Sequence, residues 1–394
     1  MVNKTNNILE HFCQYLCDFH KKELRSHLDC LNCSQPHQEF SIYISCIHIK
    51  SKIDPKSNVI LLKNFELEFG DFVKRDSGGD KYSNSKPFTF EGKKILIERT
   101  GGGLGDLLTI TVAIKELKRR FPSAYIIFKV SPQYKPVLEH NPYIDDIIDL
   151  DQNIERDIFI SYSDPCPAGM YESSHNRNIF KSRIDIFSEY LGLSPKDKTP
   201  VFCLTDEEKN QGLKFFEECG ALAKKRIGIA MFAAEIWKSW TREGNLKLIN
   251  MLVERNYVPV VFTMQSQEMV NIKGVIDVHD EPIRKVASIL KYCDIIITQD
   301  GGMLHLAGAL EVPQICLLGP TDPKYRVKMY KGGHWIVRHN GICPLKYNDN
   351  KFCWYYSQCT VDEHHKDGRT DIVPPCLKAI KAEEVLHKIE KIII

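Results

Sequence analysis

The stretch Ile295-Ile-Ile-Thr-Gln-Asp300-Gly-Gly-Met-Leu-His305-Leu-Ala-Gly-Ala-Leu310 decides the fold. Ile295 to Thr298 is a short apolar run, the pattern of a strand buried on both faces. Two glycines turn the chain, and a helix is predicted from Leu304. Gln314-Ile-Cys-Leu-Leu318 is the next strand, followed by the rigid turn Gly319-Pro-Thr-Asp-Pro323. Strand, turn, helix, strand is the unit of a parallel α/β sheet.

The same unit recurs on both sides. Upstream, Arg226–Ala230 and Val258–Phe262 read as strands, with helices over Asn245–Arg255 and Pro282–Tyr292. Further upstream, Lys94-Ile-Leu-Ile-Glu98 is a strand, Thr100-Gly-Gly-Gly-Leu-Gly-Asp106 a turn and Leu107–Arg120 a helix that Pro122 ends. Tyr125–Val130, Ile147–Leu150 and Ile158–Ile160 are further strands. Two α/β units joined near residues 204–224 predict two facing Rossmann-like domains with a cleft between them, where ligands bind beyond the carboxyl ends of the strands. The expected division is 1–90, 91–210 and 211–394, the last closing on a C-terminal helix. The first boundary falls in Asp76–Pro87, which is rich in Ser, Gly, Asn and Pro and has no apolar period.

At Asp300 two readings fit the residues alone. In one, Asp300 caps the helix, the glycines turn the chain and His305 is a satisfied helical side chain. In the other, Gly301 and Gly302 let the backbone approach a ligand, the helix that starts near Leu304, after Met303, points its free N–H groups at a phosphate, and His305 donates to a phosphate oxygen or to the loop backbone. Asp300 would then accept from sugar hydroxyls or hold the loop, since its charge repels phosphate. Asp106 poses the same choice between a helix cap and a general base whose ionised form the helix N-terminus favours.

The order Asp300-Gly-Gly-Met-Leu-His305-Leu-Ala, then a strand, then Gly319-Pro-Thr-Asp-Pro323 resembles glycosyltransferase family 9, which includes the bacterial ADP-heptose heptosyltransferases. Gly301 stands where that family usually has Ser or Thr, so a hydroxyl contact to phosphate is replaced by a backbone N–H. Ile95–Asp106, Asn141–Leu150, Arg183–Phe187 with Leu191-Gly-Leu193, and Ile236-Trp-Lys-Ser-Trp240 also resemble it. The resemblance runs over roughly residues 93–390. It implies a GT-B fold and an inverting single displacement that uses no catalytic cofactor. Asp106 is implied as the base, with Gly102, Gly103 and Gly105 forming an acceptor-side loop. Lys238, Asp300–His305 and Thr321 are implied on the donor, and Glu268 on its ribose. The plainer alternative for Lys238 is a solvated lysine beside a buried Trp240. The implied partners are a nucleotide-sugar donor, ADP-heptose first, and a glycan of lipopolysaccharide core or a protein acceptor. An epimerase or transferase using another nucleotide sugar, and a metal-stapled binding protein without activity, are the competing classes.

Composition bounds the rest. The 394 residues carry 53 basic and 51 acidic side chains, which gives nucleic-acid binding no support. No apolar run approaches the ~18–20 residues of a membrane helix, and Met1–Glu10 is polar. The expectation is a cytoplasmic enzyme, with peripheral contact to the inner face of the membrane left open. The 14 cysteines exceed what a core needs. In a reducing compartment their clustering points to metal or to free thiols rather than to disulfides. Cys13 and Cys17, one helical turn apart, join Cys30-Leu-Asn-Cys33 as one candidate thiolate set in a Cys- and His-rich N-terminal module. Cys343, Cys353, Cys359 and Cys376 form a second, for which His364 or His365 offers a substitute ligand. Structural zinc or iron suits either set. Some autotransporter-modifying relatives in the family carry a cysteine-bound iron in that part of the chain.

Overall fold

The computed structural model describes residues 89–163, 166–174, 181–231, 233–263, 272–319, 321–331, 334–337 and 373–393. The N-terminal module up to residue 88, Glu268, and Cys343, Cys353 and Cys359 lie outside the described residues.

The first unit runs β1 (Lys94–Arg99), α1 (Leu104–Arg120), β2 (Tyr125–Val130), α2 (Lys135–Leu138), β3 (Asp146–Ile148), β4 (Ile158–Ser161), α3 (Pro167–Ser174) and α4 (Arg183–Glu189). Among the described residues its four strands are all parallel, in the order β3-β2-β1-β4. The second unit follows α5 (Asp206–Glu218). It runs β5 (Arg226–Ala230), α6 (Arg242–Glu254), β6 (Val258–Thr263), β7 (Ile276–His279), α7 (Ile283–Leu290), β8 (Ile295–Gln299), α8 (Gly302–Ala309), β9 (Gln314–Leu317), β10 (His334–Val337), α9 (Pro375–Lys378) and α10 (Ala382–Ile393). Its six strands among the described residues are also parallel, in the order β10-β9-β8-β5-β6-β7.

These orders place the sites. The chain leaves β1 for β2 and β3 on one side and returns to β4 on the other; in the second sheet the reversal falls between β5 and β8. Side-by-side strands whose connections diverge leave a crevice at their carboxyl ends. Asp106 follows β1 and Asp300 follows β8, so each stands at such a reversal. Gln299 pins the second one shut at its base: its Nε2 donates to the carbonyls of Ala230 at 3.1 Å and Met231 at 3.0 Å, tying β8 to the end of β5.

The apolar runs fold as continuous buried strands. Ile295, Ile296 and Ile297 have no solvent exposure, which is why the run lacks alternation. The amphipathic α10 lays Val385, Leu386 and Ile389 on the core shared with Leu248, Ile249 and Leu252 of α6. Trp240 is buried there, and its indole N–H donates to the Ile380 carbonyl at 3.1 Å.

The segment read as a joint between the units contains a helix. Thr205 caps α5 reciprocally with Glu208, the hydroxyl accepting from the Glu208 N–H at 3.2 Å and the carboxylate from the Thr205 N–H at 2.8 Å. Gly212 of α5 lets the helix lie on the backbone of α7, where a Cβ would stand 2.2 Å from the Ser288 carbonyl oxygen. The units are tied across this region. Arg284 of α7 donates to the carbonyls of Pro136 at 2.8 Å and Cys203 at 2.7 Å and to Glu208 at 2.6 Å. Lys331 meets Asp197 at 2.7 Å. Among the described residues no helix is long and apolar enough to cross a membrane.

Candidate active site

At the end of β1 the chain must turn sharply into α1. Gly102 takes a left-handed φ of +97°, and a Cβ there would lie 2.1 Å from the Arg99 guanidinium. Gly103 is the N-cap and offers no side chain, so Asp106 sits inside the first turn rather than on the cap. Its carboxylate is held by two guanidiniums. Arg183 Nη1 donates to Oδ1 at 2.5 Å and Arg99 Nη2 to Oδ2 at 3.1 Å. Arg99 also donates to the Tyr162 carbonyl. Arg183 is itself gripped by Glu172, with Nε and Nη2 each 2.8 Å from a carboxylate oxygen. Burial alone would raise the Asp106 pKa. Arg183 and then Arg99 outweigh it, and the group stays below the ordinary carboxylate value.

The second pole is the β8–α8 turn. Gly301 is the N-cap, again without a side-chain bond, so Asp300 does not cap this helix. Asp300 is buried with Oδ1 3.3 Å from Arg326 Nε; Oδ2 has no hydrogen-bond partner among the described residues. Burial pushes its carboxyl up, but Arg326 and Lys238 bring it down to about 2. The Thr321 hydroxyl is also buried without a partner among the described residues. Lys238 reaches into the same region along the Trp237 ring, 4.7 Å from its centroid, and pairs with Glu235 at 3.0 Å. It is therefore neither freely solvated nor unpaired, although the adjacent Trp240 is buried as expected.

The two poles touch. His305 of α8 packs on the backbone of α1 at Gly105, where a Cβ would be 2.7 Å from the imidazole Cδ2. Leu104 packs reciprocally on Gly302, where a Cβ would be 2.9 Å from the leucine Cβ. Gly105 and Gly302 thus serve the close approach of two helix starts, beside the acceptor-side loop expected of Gly105 and the ligand approach expected of Gly302. Gly301, at φ −159°, is ordinary extended backbone. His305 Nδ1 is paired with the Tyr330 hydroxyl. Burial, reinforced by Arg326, lowers its imidazole to about 4, so the ring is neutral at neutral pH.

Asp106, Lys238 and Asp300–His305 therefore gather where the two units meet, and Thr321 lies in the turn after β9. Cys376 is buried in α9, near the Gly319 turn. Arg99, Glu172, Arg183, Arg326 and Tyr330 were not singled out as site residues by sequence. Arg99 ends the first strand and Arg326 follows the Pro323 turn by three residues, so position offered a faint signal for those two alone.

The two apposed α/β units match known proteins. Residues 170–344 match the family model described as glycosyltransferase family 9 (heptosyltransferase). Lys238, Asp300–His305 and Thr321 fall inside that span; Asp106 precedes it. A curated relative, lipooligosaccharide heptosyltransferase 2 of Haemophilus influenzae, is 26% identical over 147 residues, covering 32% of this chain. The chain spans 41% of that relative's length. A glycosyltransferase family 9 structure from Veillonella parvula superposes with a TM-score of 0.58 at 17% identity, over 78% of this chain and 98% of that one. The ADP-heptose lipopolysaccharide heptosyltransferase II of E. coli gives 0.51 at 13% identity, over 76% and 98%. The iron-containing dodecameric glycosyltransferase TibC of enterotoxigenic E. coli gives 0.56 at 17%, over 80% of each chain. At such identities the structural likeness is one of fold, and the family match shows the resemblance read from the sequence.

Proposed function

We propose, from this resemblance to glycosyltransferase family 9, that the chain is an inverting glycosyltransferase that moves heptose from ADP-heptose to a hydroxyl of a lipopolysaccharide core glycan. The observation that carries the reading is the apposition of α1 and α8, which brings the Asp106 carboxylate beside the uncapped N-terminus of α8. A base and an anion-stabilising helix end on facing units are what a single displacement needs.

In this reading Asp106 accepts the acceptor hydroxyl's proton as that oxygen attacks the anomeric carbon. The bond from that carbon to the diphosphate breaks, and the charge passes to the leaving nucleotide. The N–H groups opening α8, the Lys238 ammonium and the Thr321 hydroxyl receive it. Asp300 Oδ2, buried and without a described partner, accepts from a sugar hydroxyl. Glu268 is assigned to the ribose and the Gly102–Gly105 turn to the acceptor.

Calorimetry with ADP, UDP, GDP and their sugar conjugates tests the donor. Preferential binding of ADP and ADP-heptose, lost in Asp300→Ala and Lys238→Ala, is expected. Preference for UDP or GDP overturns the donor, and absence of binding by folded protein overturns the transferase reading.

A further inference from the structure

Helix α4 begins with Arg183, whose guanidinium lies between two carboxylates on different helices. Glu172 of α3 takes its Nε and Nη2, both at 2.8 Å, and Asp106 of α1 takes its Nη1 at 2.5 Å. The Glu172 side chain is 1% exposed, more deeply buried than either arginine beside Asp106. A fork held bidentate by a buried carboxylate has one orientation, so its Nη1 points in one direction. That direction is Asp106 Oδ1.

Among the described residues the other groups facing Asp106 are few. Arg99 comes from the end of β1 to Oδ2, and His305 comes from α8 of the opposite unit. Asp300, Arg326 and Lys238 lie farther off around the start of α8. Each Asp106 oxygen thus takes one guanidinium N–H and keeps further lone-pair capacity. Oδ1 and Oδ2 are fixed from two sides, which sets the plane of the carboxylate.

We propose that Arg183, locked by Glu172, is the positioning residue for the Asp106 carboxylate: it fixes the plane in which Asp106 meets the acceptor hydroxyl and holds the group ionised. The pair acts through Asp106 and touches no reacting atom. The inference rests on the reading of Asp106 as the base.

The test uses the full chain with Arg183→Gln, Arg183→Lys, Glu172→Gln and Asp106→Asn. One readout needs no acceptor. Protein carrying 13C-carboxyl aspartate is titrated, and the Asp106 signal is identified by its loss in Asp106→Asn. In the parent that signal stays at its ionised position from pH 7 to pH 4. In Arg183→Gln it titrates within that window, and in Arg183→Lys it moves less. A signal that stays put in Arg183→Gln overturns the proposal.

The second readout is transfer from ADP-heptose to heptose-lacking lipopolysaccharide core. Arg183→Gln is expected to lose about 10²-fold in kcat, with donor KM within about twofold and the acid limb of the rate profile moved up. Arg183→Lys restores part of kcat, and Glu172→Gln falls between. Equal losses in Gln and Lys variants, with raised KM and an unmoved limb, overturn it in favour of a structural role. Should Arg183→Gln fail to fold, Arg183→Lys and Glu172→Gln carry both readouts. Undiminished transfer by Asp106→Asn instead removes the base assignment, a failure the titration distinguishes because it reads the Arg183–Asp106 link directly.

Discussion

His305 of the second unit seats its imidazole on the backbone of Gly105 in the first, so closely that a Cβ at Gly105 would lie 2.7 Å from the ring carbon Cδ2. The imidazole is buried and tethered to Tyr330, so it has little room to give. Gly105→Ala is expected to force α1 and α8 apart, costing about 1–3 kcal/mol of stability and at least tenfold in turnover. Gly301→Ala, by contrast, meets Ala233 at 3.4 Å in extended backbone and should leave the melting temperature nearly unchanged. Thermal denaturation of the two variants side by side checks the contrast; equal losses would refute it.

Asp106→Asn keeps the shape of the carboxylate and removes its charge and basicity. Affinity for ADP should stay within about threefold, while transfer falls about 10²–10⁴-fold. Calorimetry and single-turnover transfer measure the two separately. A parallel fall in both would mean that Asp106 holds the donor.

His305 has a folded-state pKa of about 4 against 6.5 for the free side chain. The unfolded chain therefore binds a proton that the folded chain refuses, so the contribution is fully present above about pH 6.5. It is lost as pH falls toward 4, on the order of 3 kcal/mol in all. Denaturant unfolding between pH 7 and 4 should show this slope, and His305→Gln should flatten it by about one proton. An unchanged slope in the variant would assign the loss to other groups.

Asp300 works over a lower range. Its carboxyl sits at about 2 in the fold, below its ordinary 3.8, so the stability it supplies is present above about pH 4 and is lost as pH falls toward 2. Asp300→Asn should be less stable than the parent at pH 6, and the difference should shrink at pH 3. Unfolding at both values decides it; a constant difference would mean that the charge is not what stabilises.

Arg284→Ala removes the bonds that tie α7 to the Pro136 carbonyl, the Cys203 carbonyl and the Glu208 carboxylate. A loss of about 2–4 kcal/mol is expected, since Glu208 is left without its guanidinium. Hydrogen exchange should then rise in both α2 and α5. Protection confined to its parent value in α2 would show that the clamp does not span the units.

The strands were legible because buried parallel strands are uninterrupted apolar runs: Tyr125–Val130 and Arg226–Ala230 were read to the residue. β7 escaped because Ile276-Asp-Val-His279 lies at the edge of its sheet and is only half apolar. The helix at Asp206–Glu218 was missed despite a readable signal, Thr205-Asp-Glu-Glu208, which is a capping box. Helix α1 starts at Leu104, three residues before the expected start, and this early start draws Asp106 into the helix. The positions of Asp106 and Asp300 could be read because each follows a strand at a glycine turn. Their partners could not. Arg183 reaches Asp106 across 77 residues of sequence, and no local pattern records which arginine will arrive.

If Lys238 lines the donor site as proposed, the Glu235–Lys238 pair gives that site a built-in counterion. In the reading proposed above, an incoming diphosphate does not fill an empty socket; it evicts a tethered carboxylate. Electrostatic gain at Lys238 is then the difference between two anions rather than the full attraction of one. Binding should respond less steeply to added salt than a count of nearby positive groups suggests, and Glu235 becomes the place where donor affinity can be retuned without touching the lysine itself.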